Sequence, residues 1–501
     1  VELVSIDVPS IVNYGDTDIS FTIKNSGNTD IETLKARYTI NDETVEQTFY
    51  AHVTSMNTKQ LTFSTALSTR PNEKYNIEVE IVSVNDDTDD TSDNILSQDF
   101  ISAMSHTQMT PMIEHFSSST CNPCVAVNNL MAELTANHEG EYTYTKYTSN
   151  GPALGDPYYT AEGGTRMTYY NVLGVPQTFL NGADQGYGAT SEESFMEAYN
   201  SPAFADVRGS YTIEGNNINI TADFMSYFDM DNVRAFISVN EKTTTDNASS
   251  NGETEFHHVM MKMLENAEGN VLNIKAGEYQ RLVFSYDMSS TFVEEMNDLE
   301  VALWLQDYET KVIYNSHFAY ENTGHCYPVQ NMQAAVVGDC ITLYIDWDAP
   351  EAGNPIGYNI YVDGELIKEN ITECSYEDAV LGGEIYESPN AHIAEVVALY
   401  ENGMTSVAVT KIIGDDWINV AETKSVNVEL YPNPAKDFIK ISAVNGEVSA
   451  VKVYNYLGIL FEEIEASSNE IEINTSAYNT GIYFINIETS NGNVTKKVVV
   501  E

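Results

Sequence analysis

Cys121 and Cys124 are the residues of this sequence best placed to do chemistry. They stand in SSSTCNPC, after a β-like run MTPMIEHF (109–116) and before VAVNNLMAELTANH. In that second stretch Val127, Leu130, Met131 and Leu134 recur at helical spacing. A sulfur at the start of a helix meets the positive end of the macrodipole and unpaired N–H groups, and both favour the thiolate. Pro123 suits the first turn, where no N–H partner is lost. Cys124 lies one turn on, within reach of a mixed disulfide held on Cys121. On this reading Cys121 attacks and is the more exposed sulfur, while Cys124 resolves. A C-x-x-C also serves zinc sites and structural disulfides.

Zinc is the weaker alternative. A structural site needs two more Cys or His at matching spacing. His138 sits in no ligand pair, and His257 and His258 are adjacent, so they would point apart in a strand. Two residues just before the cysteines, Glu114 and His115, are candidates to move a proton to or from Cys124. Consecutive strand residues face opposite sides, so only one of them can face the cysteines. Downstream, GVPQTFLNG (174–182) reads as a turn and a strand containing Pro176.

The elements that position these residues are strand, helix, strand, helix and strand, an α/β unit over 106–205. EYTYTKYTS is its second strand, 163–170 a helix, and SEESFMEAYN a short helix capped by Ser191. Together the C-x-x-C context and the Val175–Pro176 turn resemble the thioredoxin fold. That resemblance implies a cis Pro176 packed beside the cysteine pair, and catalytic roles for Cys121, Cys124, Pro176 and either His115 or Glu114. Thr120 stands where many thioredoxins have Trp, and Asn-Pro replaces Gly-Pro between the cysteines. With the β segment that follows, the region also resembles thioredoxin-like outer-membrane-protein families of the Bacteroidetes. No prosthetic group or other cofactor is implied, because the cysteines carry the electrons.

The rest of the chain reads as β modules. Residues 1–105 alternate in short runs such as ISFTIKN and YNIEVEIVSV, the texture of an immunoglobulin-like sandwich. The acidic stretch 85–94 is a solvated connector, with a calcium loop as the alternative. Residues 206–322 read as a second sandwich with an insert near FHHVMMKML. Residues 326–415, with Pro328, Trp347, Tyr358 and Tyr361, resemble a fibronectin type III module. Of the remaining cysteines, Cys340 and Cys374 would lie on neighbouring strands of it, within range of a disulfide, leaving Cys326 as the odd thiol.

The last module, 424–501, carries Tyr431, Pro432, Asn433, Pro434, Gly458, Gly481, Ile482, Tyr483, Lys496 and Lys497 in the order of type IX secretion sorting domains of the Bacteroidetes. That resemblance implies export across the outer membrane, to the cell surface or the medium, with the secretion machinery as a partner. The chain opens in strand-like alternation, VELVSIDVPS, without the basic-then-apolar pattern of a signal peptide, so export is read from the other end.

Composition agrees with this organisation. Across 501 residues there are 75 acidic and 23 basic side chains, a formal net charge of -52. Such a surface repels phosphate backbones and anionic headgroups, which argues against nucleic acid as a partner. No apolar run reaches the ~18–20 residues of a membrane span. The expected fold class is multidomain and mostly β, with tandem immunoglobulin-like and fibronectin-like sandwiches and one α/β thioredoxin-like domain. The expected function is an exported thiol–disulfide oxidoreductase acting on thiol- or disulfide-containing proteins. The alternative is a non-catalytic surface binding protein or adhesin on a thioredoxin scaffold. Hydrolysis ranks third, since neither a Ser-His-Asp order nor a paired-carboxylate motif has local support.

Overall fold

The computed structural model describes residues 1–501 except 42, 88–93, 338–340, 389, 415–427, 433, 444–447, 456–459, 477, 479–480, 490–491 and 501. Most of the acidic stretch 85–94, Cys340, Asn433 and Gly458 therefore lie outside the described residues. The chain divides into two compact units, 1–413 and 414–501. It is a multidomain, mostly β protein.

The first unit begins with a sandwich of two sheets. Three strands, Glu2–Ile6, Ser20–Lys24 and Thr58–Thr62, face five that include Ile31–Ile40 and Glu73–Val84. The alternation IETLKARYTI turns Leu34, Ala36, Tyr38 and Ile40 inward onto Phe21 and Ile77. Burying each large apolar side chain is worth about 1.5–3 kcal/mol. Asn85 closes one end by accepting the backbone N–H groups of Glu32 and Thr33.

The middle of the unit holds the cysteines. Strand β1 (Met112–Ser117) leads to helix α1 (Asn122–Asn137), then β2 (Thr143–Thr148), α2 (Ala161–Tyr170), β3 (Gln177–Leu180), β4 (Ala183–Asp184) and α3 (Glu192–Tyr199). β2 runs parallel to β1, Met112 opposite Thr143, and β3 runs antiparallel to it, Ile113 opposite Leu180. Every residue of β1 and β2 is buried, as expected of strands covered on both faces. Ser191 caps α3 by accepting from the Ser194 N–H at 3.1 Å.

The sheet does not stop at this α/β unit. After β5 (Ala205–Glu214) and β6 (Asn217–Ser226) come β7 (Met230–Thr244), β8 (Phe256–Leu264), β9 (Asn270–Ile274), β10 (Tyr279–Asp287), β11 (Leu299–Gln306) and β12 (Ile313–Phe318). Among the described residues one sheet has the order β4-β3-β1-β2-β8-β7-β11-β12, with β9 also on β7. The stretch FHHVMMKML, expected as an insert, is strand β8: it pairs with β7 and lies parallel to β2 with Val259 opposite Lys146. Its apolar residues Val259, Met260, Met261 and Met263 are buried, which an exposed insert would not allow. A second sheet, β10-β6-β5 plus Tyr320–Glu321, completes the sandwich over a core of Ile220, Phe224, Ile237 and Leu303.

The last module of this unit packs Gln330–Val337, Thr342–Asp348 and Ser375–Asp378 against a four-stranded sheet around a buried Trp347. It also contains a helix, Ala379–Glu387, capped by Asp378. Cys326 is buried, and Cys326 and Cys374 are both free thiols. The Cys374 thiol points to the Tyr358 hydroxyl at 3.7 Å; Cys340, its expected disulfide partner, lies outside the described residues.

The second unit is a smaller sandwich. Val428–Tyr431, Phe438–Ala443 and Glu470–Asn474 form one sheet; Leu460–Ser468, Val448–Asn455, Gly481–Thr489 and Gly492–Val500 form the other. Ile439, Ile441, Val451, Ile485 and Val498 fill its core.

Candidate functional site

The cysteine turn is assembled from the end of β1. Cys121 donates its N–H to the Ser118 carbonyl at 3.0 Å, Ser119 N–H reaches the Asp156 carboxylate at 2.7 Å, and the Thr120 hydroxyl reaches the Pro152 carbonyl at 2.8 Å. Cys121 is the N-cap of α1, with extended backbone, and its Sγ accepts the Cys124 N–H at 3.2 Å. Pro123 lies in the first turn. The helix thus begins where the sequence places it, and the cap is a sulfur instead of the usual side-chain oxygen.

Cys121 and Cys124 are joined in a disulfide. Cys121 is 1% exposed and Cys124 0%, so the expected difference in exposure is absent: the turn holds both sulfurs inward. The Cys121 Sγ lies 3.5 Å from the Val175 carbonyl oxygen, which brings the turn before β3 to the cysteines. The Val175–Pro176 bond is cis. Leu130, expected on the buried face of α1, is exposed, and the face is made by Val127, Met131 and Leu134.

The two candidate proton carriers part company. Val127, Met131 and Leu134 of α1 share a core with Ile113 and Tyr144, which sets the odd-numbered face of β1 under the cysteine helix. His115 lies on that face, its Nδ1 2.6 Å from the Tyr144 hydroxyl. Glu114 lies on the other face. It accepts from Arg166 Nη2 at 2.7 Å and from the hydroxyls of Tyr147 and Tyr170 at 2.9 and 2.5 Å. Glu114 and Arg166 are both fully buried, and Arg166 also donates to Gln306. Glu114 is thus placed with α2 and β11, not with the cysteine helix.

A second set of polar groups lies near α1 that sequence reasoning missed. Lys146 is opposite His115 in the β1–β2 register and is 4% exposed. Burial pushes its ammonium down to about 8, against the pull of the Glu253 and Asp156 carboxylates. Burial, with the Lys146 charge beside it, holds the His115 imidazole well below its ordinary range, so it is neutral at pH 7. Glu253 accepts the Asn128 amide of α1 at 2.8 Å, and Asn251 reaches the cysteine turn itself. Both come from the β7–β8 connection, and no local spacing in the sequence ties them to a C-x-x-C so far away. Among the described residues no group of His, Cys, Asp and Glu is arranged to hold a metal ion.

Residues 429–501 match the secretion system C-terminal sorting domain. Over 205 residues the chain is 23% identical to an endo-acting ulvan lyase of Formosa agariphila, covering 37% of each chain. Over 137 residues it is 26% identical to the ulvan lyase NLR42 of Nonlabens ulvanivorans, covering 27% of this chain and 24% of that one. The chain thus spans well under half the length of these curated relatives. Among solved structures, HBP35 of Porphyromonas gingivalis aligns over 79% of this chain and 100% of its own, at 14% identity and a TM-score of 0.35. The fibronectin(III)-like modules of CbhA from Clostridium thermocellum align over 34% of this chain and 90% of their own, at 16% identity and a TM-score of 0.16.

The C-terminal unit is a type IX secretion sorting domain, and the chain is exported to the cell surface or secreted. Among the described residues no helix is long and apolar enough to cross a membrane.

Proposed function

We propose that this exported protein is a thiol–disulfide oxidoreductase whose working pair is Cys121 and Cys124, carried on a thioredoxin-like domain over residues 106–205. The observation that carries the reading is the position of Cys121: N-cap of α1, with its sulfur on the Cys124 N–H and 3.5 Å from the Val175 carbonyl. The donated N–H and the helix dipole would stabilise a Cys121 thiolate once the pair is reduced. The parallel β1–β2 pair, the antiparallel β3 and β4, and α1 leaving β1 at the cysteines support the thioredoxin resemblance.

In the reductive direction the Cys121 thiolate attacks a disulfide in a protein substrate, forms a mixed disulfide and expels one substrate thiol. Cys124 then attacks Cys121 Sγ, expels the second thiol and restores the Cys121–Cys124 bond. The substrate gains two electrons and two protons, and the pair loses them. In the oxidative direction each step reverses. Of the two proposed proton carriers, His115 is the one on the cysteine-helix face; Glu114 serves the core behind it.

The second reading, a surface binding protein on an inert scaffold, is favoured by the burial of both sulfurs and by the β modules on either side, which we read as immunoglobulin-like (1–105), sandwich (206–322) and fibronectin-like (326–415). Trapping of mixed disulfides by single-cysteine variants separates the two readings.

A further inference from the structure

We propose that the β7–β8 connection, residues 245–255, is a strap that holds the cysteine turn closed and so restricts Cys121 to small or thin partners; this rests on the exchange reading above. The strap grips both sides of the pair. Asn251 donates its backbone N–H to the Ser119 carbonyl at 3.0 Å, and its Nδ2 lies 3.4 Å from the carbonyl oxygens of Ser118 and Cys121. The same Nδ2 donates to Glu253 Oε2 at 2.5 Å, and the Glu253 carboxylate accepts Asn128 Nδ2 at 2.8 and 3.0 Å. One Asn-x-Glu segment therefore joins the turn before α1 to the second turn of the helix.

The base of the strap is fixed. The backbone N–H groups of Thr245 and Asp246 donate to the Glu294 carboxylate, and Asn247 Nδ2 lies 3.4 Å from Asp156, which also holds Ser119. Its middle is not packed. The sequence TDNASSNGETE has Ala248 as its one apolar residue, and Ala248 is exposed. Polar contacts alone hold the strap on the turn, so it opens locally at the cost of a few hydrogen bonds.

The strap matters because a partner thiolate must reach Cys121 Sγ along the S–S axis, and a residue 1% exposed offers no such path until the turn moves. When it does, the partner thiolate bonds to Cys121 and Cys124 leaves as a thiolate that takes a proton. A second partner thiol then releases Cys121, so two partner thiols are oxidised to one disulfide as the pair is reduced. A small thiol needs a slight outward movement of the turn; a folded protein needs a larger one.

The test uses the oxidised full chain and two reductants, 2-mercaptoethanol and a reduced bacterial thioredoxin. Asn251→Ala should speed reduction by the protein about tenfold, as loss of roughly one or two hydrogen bonds predicts, and reduction by 2-mercaptoethanol about twofold or less. Glu253→Gln, which keeps the Asn251 side chain on the Ser118 and Cys121 carbonyls, should raise the protein-to-small-thiol rate ratio by a smaller factor and covers the case in which Asn251→Ala does not fold. An unchanged ratio in both variants, with wild type still reduced, overturns the strap and leaves the exchange reading standing. If neither reductant reduces wild type or variants, both fail.

Discussion

Glu114 and His115 are consecutive in the chain and face opposite sides of one strand, Glu114 held by Arg166 at 2.7 Å and His115 by Tyr144 at 2.6 Å. The strand thereby separates a structural ion pair from the side chains under the cysteine helix. Glu114→Ala should destabilise the protein by about 3–5 kcal/mol, because it strands a buried Arg166. Urea unfolding measures this. Exchange by the molecules that remain folded should stay within about twofold of wild type; a selective loss of exchange with stability unchanged would move Glu114 into the redox site.

His115 predicts an acid response. Its folded-state pKa is depressed by burial, so its contribution to stability is complete above the unfolded value of about 6.5 and is lost as the pH falls below it. The slope from this group approaches about 1.4 kcal/mol per pH unit. His317, half-buried and held well below its ordinary range by desolvation and the Arg208 charge, adds a second such proton. His115→Phe should remove one proton's worth of slope below pH ~6.5, read from urea unfolding at a series of pH values. An unchanged slope contradicts a neutral buried His115.

Glu395 should act with the opposite sign. Burial pushes its carboxyl up to about 7, while hydrogen bonds from Ser105, Tyr227 and Thr410 pull down and the Asp206 charge pushes further up. A raised carboxyl contributes stability below the unfolded value and loses it as the pH rises through the folded one. Glu395→Gln should therefore match wild type near pH 4.5 and exceed it at pH 8 by up to roughly 3 kcal/mol. Chemical denaturation at the two pH values decides, and a less stable variant at pH 8 contradicts the assignment.

Much of the site was legible because its signals are local. The cysteine spacing, Pro123, the apolar helix face and the strand period of 109–116 all lie within thirty or so residues, and they placed Cys121 at the start of α1. The β modules were legible for the same reason, through alternation and turn residues. The rest depends on contacts between distant segments. Arg166 meets Glu114 across 52 residues, Asn251 meets Cys121 across 130, and β8 joins β2 although FHHVMMKML alone read as an insert. The burial of Cys121 is of this kind too: a helix N-terminus predicts a stabilised thiolate but says nothing about which turn is pulled inward.

Sorting is independent of the cysteines. Removing residues 424–501 should leave the protein in the periplasm of a host with type IX secretion, while residues 1–413, a compact unit by themselves, keep their melting transition. Fractionation and immunodetection follow the protein; surface delivery of the truncated chain would contradict the role of the C-terminal unit.

The central claim, that Cys121 attacks and Cys124 resolves, is tested most directly by trapping. Reduced full-length Cys124→Ser and Cys121→Ser variants are mixed with a disulfide-bonded peptide, quenched with acid, and mapped by mass spectrometry. The account predicts mixed disulfides on Cys121 in the first variant and almost none in the second, because only Cys121 has the helix cap position and the Cys124 N–H to hold a thiolate. Equal trapping by both variants, or trapping by neither, would contradict it.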